Sequence, residues 1–81
     1  MTVRVLAFAR LRELLGFGER RVGIAEPATI DGLWDLLAAA SPQLAPLRAS
    51  TRFARNGELV PSATALRDGD EIALMPPVGG G

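Results

Sequence analysis

EPATIDGLWDLLAAASPQL, residues 26–44, holds the one long amphipathic pattern in this chain. Ile30, Leu33, Trp34, Leu37 and Ala38 recur at the i, i+3, i+4, i+7, i+8 spacing that lines up one face of an α-helix. Asp31 and Asp35 lie off that stripe and toward its N-terminal half, where the helix macrodipole favours negative charge. Thr29 directly precedes the pattern, and its hydroxyl suits an N-cap that accepts an orphan backbone N–H. Pro42 disfavours helical geometry at Ser41, so the helix is predicted to end near Ala40. Trp34, beside Leu33 and Leu37 at helical spacing, reads as a core anchor rather than a stacking platform for a ligand. A helix with one apolar stripe has to bury it against another element.

Short strands on either side supply that element. VRVLAFA, residues 3–9, sends Val3, Val5 and Ala7 to one side and Arg4, Leu6 and Phe8 to the other. Apolar residues on both faces predict a central strand. RLRELLG follows, with Leu11, Leu14 and Leu15 at helical spacing and Gly16 as a C-terminal stop, so a short helix is expected. GFGE is loop, and RRVGIA, residues 20–25, reads as a second strand with Val22 and Ile24 on one face. Beyond the long helix, residues 43–50 read as irregular, with a turn of helix around Leu44 and Leu47. TRFAR (51–55) and ELV (58–60) flank Asn56-Gly57, the pair that tolerates the positive φ angles of a tight hairpin. Pro61 ends that hairpin. SATAL connects to RDGD, a turn with Gly69 in its left-handed position, and EIALM (71–75) is the last strand. The order is strand, short helix, strand, long helix, then three strands. It predicts an α+β fold of the β-grasp, or ubiquitin-like, plan: a five-stranded mixed sheet with one main helix on one face and strands 1 and 5 parallel in the middle. Residues 1–75 form the domain and residues 76–81 a C-terminal tail.

Composition narrows the chemistry. The 81 residues suffice for one small domain, and nearly half are hydrophobic, enough for a single core. There is no cysteine and no histidine, which removes thiolate and imidazole ligands, a cysteine nucleophile and the commonest general base. No metal site is expected. Formal net charge is zero, and neither a basic stripe for nucleic acid nor an apolar run for a membrane occurs. The N-terminus lacks the basic region and cleavage site of a signal peptide, so a cytoplasmic location is expected. Asp68, Asp70 and Glu71 read as a solvated turn rather than a cation site. The glycines of GFG belong to no phosphate-loop pattern, and Ser41, Ser50 and Ser62 have no histidine to activate them. All nine basic residues are arginine. Genome composition explains this on its own, although it also leaves no side-chain amine to react with an activated carboxyl group.

The tail, MPPVGGG, residues 75–81, is then the candidate for chemistry. Pro76-Pro77 favours a stiff extended segment that holds the end away from the domain. Gly79, Gly80 and Gly81 carry no side chains and fit a channel too narrow for a Cβ. The reactive group at such an end is the C-terminal carboxylate. It is a poor electrophile until ATP converts it to an acyl-adenylate, after which a sulfur donor can make a nucleophilic thiocarboxylate.

VRVLAFARLRELLG near the start and LRDGDEIALMPPVGGG at the end resemble the small subunit of molybdopterin synthase, the MoaD family. The RELLG segment after strand 1 is typically absent from the shorter thiamine sulfur carriers that share the fold and the Gly-Gly end. The resemblance implies adenylation of Gly81 by a MoeB-type, E1-like enzyme, which uses the ATP, and conversion to the thiocarboxylate. The chain itself would bind no cofactor. It also implies a heterotetramer with a MoaE-type large subunit, whose active site takes the tail. There the Gly81 sulfur attacks cyclic pyranopterin monophosphate on the way to the dithiolene, and the acid and base work belongs to the large subunit. The small subunit is a sulfur donor with no activity alone. By the same resemblance Phe8, Arg12, Leu59 and Met75 align with a partner interface, and Pro76, Pro77, Val78, Gly79 and Gly80 with the inserted tail. From the residues alone, Phe8 and Met75 fit either an interface or the core. The family often has aromatics before PPV where this chain has Leu74-Met75, and Gly79 replaces a residue with a side chain. Two alternatives share the fold. One is a ubiquitin-like modifier or a sulfur carrier for thiamine, cysteine or tRNA thiolation. The other is a binding module with an idle tail.

Overall fold

The computed structural model describes residues 1–77. Its elements are β1 (Thr2–Ala7), α1 (Ala9–Leu15), β2 (Glu19–Gly23), α2 (Ile30–Ala40), a 3-10 segment (Pro42–Ser50), β3 (Arg52–Arg55), β4 (Glu58–Val60) and β5 (Glu71–Met75). The five strands form one sheet in the order β2-β1-β5-β3-β4. β1 and β5 are parallel in the middle, and every other pair is antiparallel. This is the expected β-grasp arrangement.

Local signals account for most boundaries. The Thr29 hydroxyl accepts from the Gly32 N–H at 3.2 Å and caps α2. Gly16, at φ 80°, ends α1 in the left-handed conformation and donates its N–H to the Arg12 carbonyl at 2.9 Å. Asn56 and Gly57, at φ 51° and 85°, make the tight turn between β3 and β4. α2 lays Ile30, Leu33, Trp34 and Leu37 against Val3, Val5, Ala7, Phe53, Ile72 and Leu74 of the sheet. Trp34 meets Phe53 edge-to-face, with ring centroids 6.0 Å apart at 82°. Trp34 is the core anchor its spacing predicted.

Three readings change. Phe8 is not part of β1 but the residue before α1, with its carbonyl accepting from Leu11 N–H at 3.1 Å and Arg12 N–H at 3.4 Å. Residues 42–50 are a continuous 3-10 segment rather than irregular chain, longer than such segments usually run. Tertiary contacts support it: Leu44 is fully buried, Arg48 pairs with Asp31 of α2, and the Arg48 guanidinium lies 5.3 Å from the Phe53 ring centroid. The RDGD turn is present, but Asp70 is buried within it rather than solvated. Its carboxylate accepts from the Arg67 N–H at 2.8 Å and the Asn56 side-chain amide at 3.0 Å, which joins the Asn56-Gly57 hairpin turn to the RDGD turn.

Candidate functional site

Among the described residues, helices cover only one face of the sheet, so strand pairing determines what the other face presents. Paired residues in neighbouring strands share a face. Leu6 pairs with Glu19 and Ala73, Ala73 with Ala54, and Ala54 with Leu59. One row therefore crosses all five strands on the open side: Glu19, Leu6, Ala73, Ala54, Leu59. The next row toward the tail holds Met75 opposite Arg52, and Phe8 follows Ala7, the partner of Leu74, at the same end. The extended backbone of Phe8 (φ −127°, ψ 152°) continues the alternation of β1 and puts it on the side of Leu6.

The result is an apolar strip on an uncovered sheet. Leu59 is 65% and Phe8 48% exposed, Leu6, Ala73 and Met75 are half-buried, and Ala54 between Ala73 and Leu59 is buried. Phe8 and Met75, ambiguous from the residues alone, both lie outside the core. Exposed apolar side chains gathered on one open sheet face fit a docking surface. Its far margin is charged. Arg4 pairs with Glu71 and, at 3.5 Å, with Glu19. The hydrogen bond to Glu71, then the charges of Glu71 and Glu19, hold the Arg4 pKa above its ordinary value. At the tail end, Arg52 and Arg12 form no ion pair among the described residues. The Arg12 side chain lies over Gly18: a Cβ there would approach its Nε and Cζ to 3.3 Å.

The structure thus brings Phe8, Met75 and Arg52 to one end of the open face and leaves Leu59 on the edge strand, one strand beyond Ala54. Arg12 sits on α1 next to that end. Pro76 is half-buried and Pro77 exposed immediately after the last sheet pairing. Val78, Gly79, Gly80 and Gly81 lie outside the described residues. Leu6, Ala54, Ala73 and Arg52 were not singled out from the sequence. The Asn56-Gly57 turn carried a signal for Ala54, because a two-residue loop sets Ala54 opposite Leu59. Among the described residues, no three His, Cys, Asp or Glu side chains gather as a metal site requires. This surface can dock a partner and direct the tail.

The model of the ThiS family matches residues 5–81. The chain is 37% identical to the molybdopterin synthase sulfur carrier subunit of Chlamydomonas reinhardtii, over 100% of both proteins. Small archaeal modifier protein 1 of Haloferax volcanii is 37% identical over 91% of this chain and 94% of its own length. The crystal structure of SAMP1 from that organism superposes with a TM-score of 0.85 at 32% identity, covering 100% of both chains. The complex of subunits 1 and 2 of the molybdopterin-converting factor from Helicobacter pylori contains a chain that matches with a TM-score of 0.69 at 26% identity, again over 100% of both.

Proposed function

The chain belongs to the ThiS family, and we propose that it is the sulfur-carrying small subunit of a molybdopterin synthase. The observation that carries this reading is a continuity. The uncovered apolar face ends at Met75, the last laddered residue of β5, and the tail PPVGGG begins at the next residue. A partner docked on that face has the tail at its own surface.

The chemistry belongs to Gly81. ATP and the carboxylate give an acyl-adenylate and pyrophosphate in an E1-like, MoeB-type partner. A sulfur donor then displaces AMP and leaves a thiocarboxylate. Presented to a large subunit, that sulfur bonds to a side-chain carbon of the cyclic pterin monophosphate as the C–O bond at that carbon breaks and its oxygen substituent leaves. Hydrolysis of the resulting thioester leaves the sulfur on the pterin and returns the carboxylate. Two such cycles supply the two sulfurs of a dithiolene. A large-subunit partner is supported by the Helicobacter pylori complex, and a heterotetramer of two small and two large subunits follows the family resemblance. ATP is consumed by the activating partner, and a cytoplasmic location goes with that nucleotide supply. None of the described helices is long and apolar enough to cross a membrane.

Phe8, Leu59 and Met75 supply apolar contact to these partners, joined by Leu6 and Ala73. Arg12 and Arg52 supply positive charge beside the tail. Pro76 and Pro77 stiffen its base, and Val78 to Gly81 enter the partner. A second reading is favoured by the likeness to the archaeal modifier: the same activated Gly81 joined to protein lysines. One experiment separates the two. The chain prepared with a Gly81 thiocarboxylate is mixed with a molybdopterin synthase large subunit and the cyclic pterin, and dithiolene product is assayed against the carboxylate form. Product from the thiocarboxylate alone is expected. No product, with a large subunit active toward its own partner, overturns the synthase reading and turns attention to lysine conjugates.

A further inference from the structure

The sheet stops holding the chain at Met75. Met75 is paired with Arg52, and the position opposite Pro76 in that register is Thr51. Thr51 cannot extend the ladder, because its N–H donates to the Leu47 carbonyl at 3.0 Å and its hydroxyl donates to the same carbonyl at 2.8 Å. Pro76 and Pro77 have no N–H to offer. Side-chain packing is therefore what orients the base of the tail. Pro76 and Pro77 line a mostly apolar cleft together with Ala9, Arg10 and Leu11 of α1 and Leu47 and Thr51 at the end of the 3-10 segment. Ala9 adopts φ 50°, a left-handed conformation that is unfavourable for a residue with a Cβ. Such a conformation persists only where the surroundings enforce it.

We propose that Ala9, Leu11 and Leu47 form a seat that aims the C-terminal tail, so that the direction in which the chain leaves the domain is set by α1 and the 3-10 segment rather than by β5 alone. The Pro76-Pro77 pair spans about 7 Å when extended, so a tilt of about 30° at Pro76 already displaces the point where the chain leaves Pro77 by about 3–4 Å. Two prolines transmit the direction instead of absorbing it. Reactions at Gly81 depend on such placement, since misplacing a reacting atom by about 1 Å already slows chemistry strongly. Leu47 and Ala9 are thus positioning residues: they touch neither ATP nor the sulfur donor.

This inference rests on the sulfur-carrier reading for its kinetic test but not for its structural one. Leu47→Ala removes a wall of the seat, Leu47→Met restores apolar volume, and Ala9→Gly frees the turn while relieving its backbone. In the full chain, nuclear Overhauser contacts are expected between the Pro76 or Pro77 ring protons and the Leu11 and Leu47 methyls, and those to Leu11 should fade in Leu47→Ala. In adenylation of Gly81 by an E1-like enzyme, kcat should fall about five- to tenfold for Leu47→Ala, as expected when one residue's backbone freedom must be frozen at each encounter. KM should hold, because the open sheet face is untouched, and Leu47→Met should recover the rate. Ala9→Gly should shift kcat in the same direction. A purely structural role for Leu47 would lower thermal stability and leave kcat per folded molecule unchanged. Absence of the Overhauser contacts in the wild type, or unchanged kcat in both folded variants, overturns the seat. If the wild-type chain is not adenylated at all, the sulfur-carrier reading fails, and the Overhauser contacts still decide on the seat.

Discussion

Leu59→Ala separates docking from folding more cleanly than any other change on the open face. Leu59 is 65% exposed on the three-residue edge strand β4, so about two thirds of its side chain is still available to be buried by a partner. Fully burying a leucine side chain contributes about 1.5–3 kcal/mol, which leaves about 1–2 kcal/mol for the remaining surface. Losing that weakens binding by about 5- to 30-fold. The folded domain loses little, because Leu59 lies outside the core and an exposed truncation usually changes stability by about 0.5 kcal/mol or less. In a domain of this size that corresponds to a Tm change of at most about 4 °C. Calorimetric titration of wild type and variant into a MoaE-type large subunit, with a thermal melt of each, measures both quantities. At saturating concentrations the variant's thiocarboxylate should transfer sulfur at the wild-type rate, since Gly81 is unaltered. An affinity within twofold of wild type would refute the assignment of the open face as the docking surface. A Tm loss in proportion to the affinity loss would make Leu59 a structural residue.

Deleting Gly80-Gly81 should abolish adenylation and sulfur transfer, followed by mass spectrometry of the C-terminus, while the melt stays at the wild-type temperature. Thr29→Ala removes the cap that accepts from the Gly32 N–H, and chemical denaturation should register a loss of about 1 kcal/mol. Asp70→Ala leaves the Arg67 N–H and the Asn56 side-chain amide without their acceptor, and should cost about 1–3 kcal/mol in the same assay with no effect on transfer by the folded protein.

The elements that sequence reading recovered are those whose signals are local. The α2 stripe from Ile30 to Leu37, the Thr29 cap, the Gly16 stop and the Asn56-Gly57 turn each depend on a few neighbouring residues, and each is where the pattern puts it. The elements it missed depend on distant partners. Nothing between residues 42 and 50 favours a nine-residue 3-10 segment over loop, and what sustains it is burial of Leu44 and the reach of Arg48 to Asp31 and Phe53. Asp70 read as solvated because it and Asp68 flank a turn glycine and alternation sends Asp70 and Glu71 to opposite sides. Its burial comes from the Asn56 turn folding onto it from fourteen residues away. The candidate site was half legible: Phe8, Leu59 and Met75 were picked out by resemblance, whereas Leu6, Ala54 and Ala73 became visible as one surface only when the register joined them.

Composition and periodicity by themselves determined a small α+β domain with one amphipathic helix, no Cys or His side chain, and the Pro-Pro-x-Gly-Gly-Gly segment as the candidate for chemistry. Those properties are covalent or short-range, so they are written in the order of the residues. Which face of the sheet stays open was decided by tertiary structure. β1 carries apolar residues on both sides, and alternation alone does not say whether Val3, Val5 and Ala7 or Leu6 and Phe8 meet the helix. Packing of α2 onto the Val3 side breaks that symmetry. It buries one set, leaves the other uncovered, and through the parallel pairing of β1 with β5 delivers the uncovered set to the start of the tail.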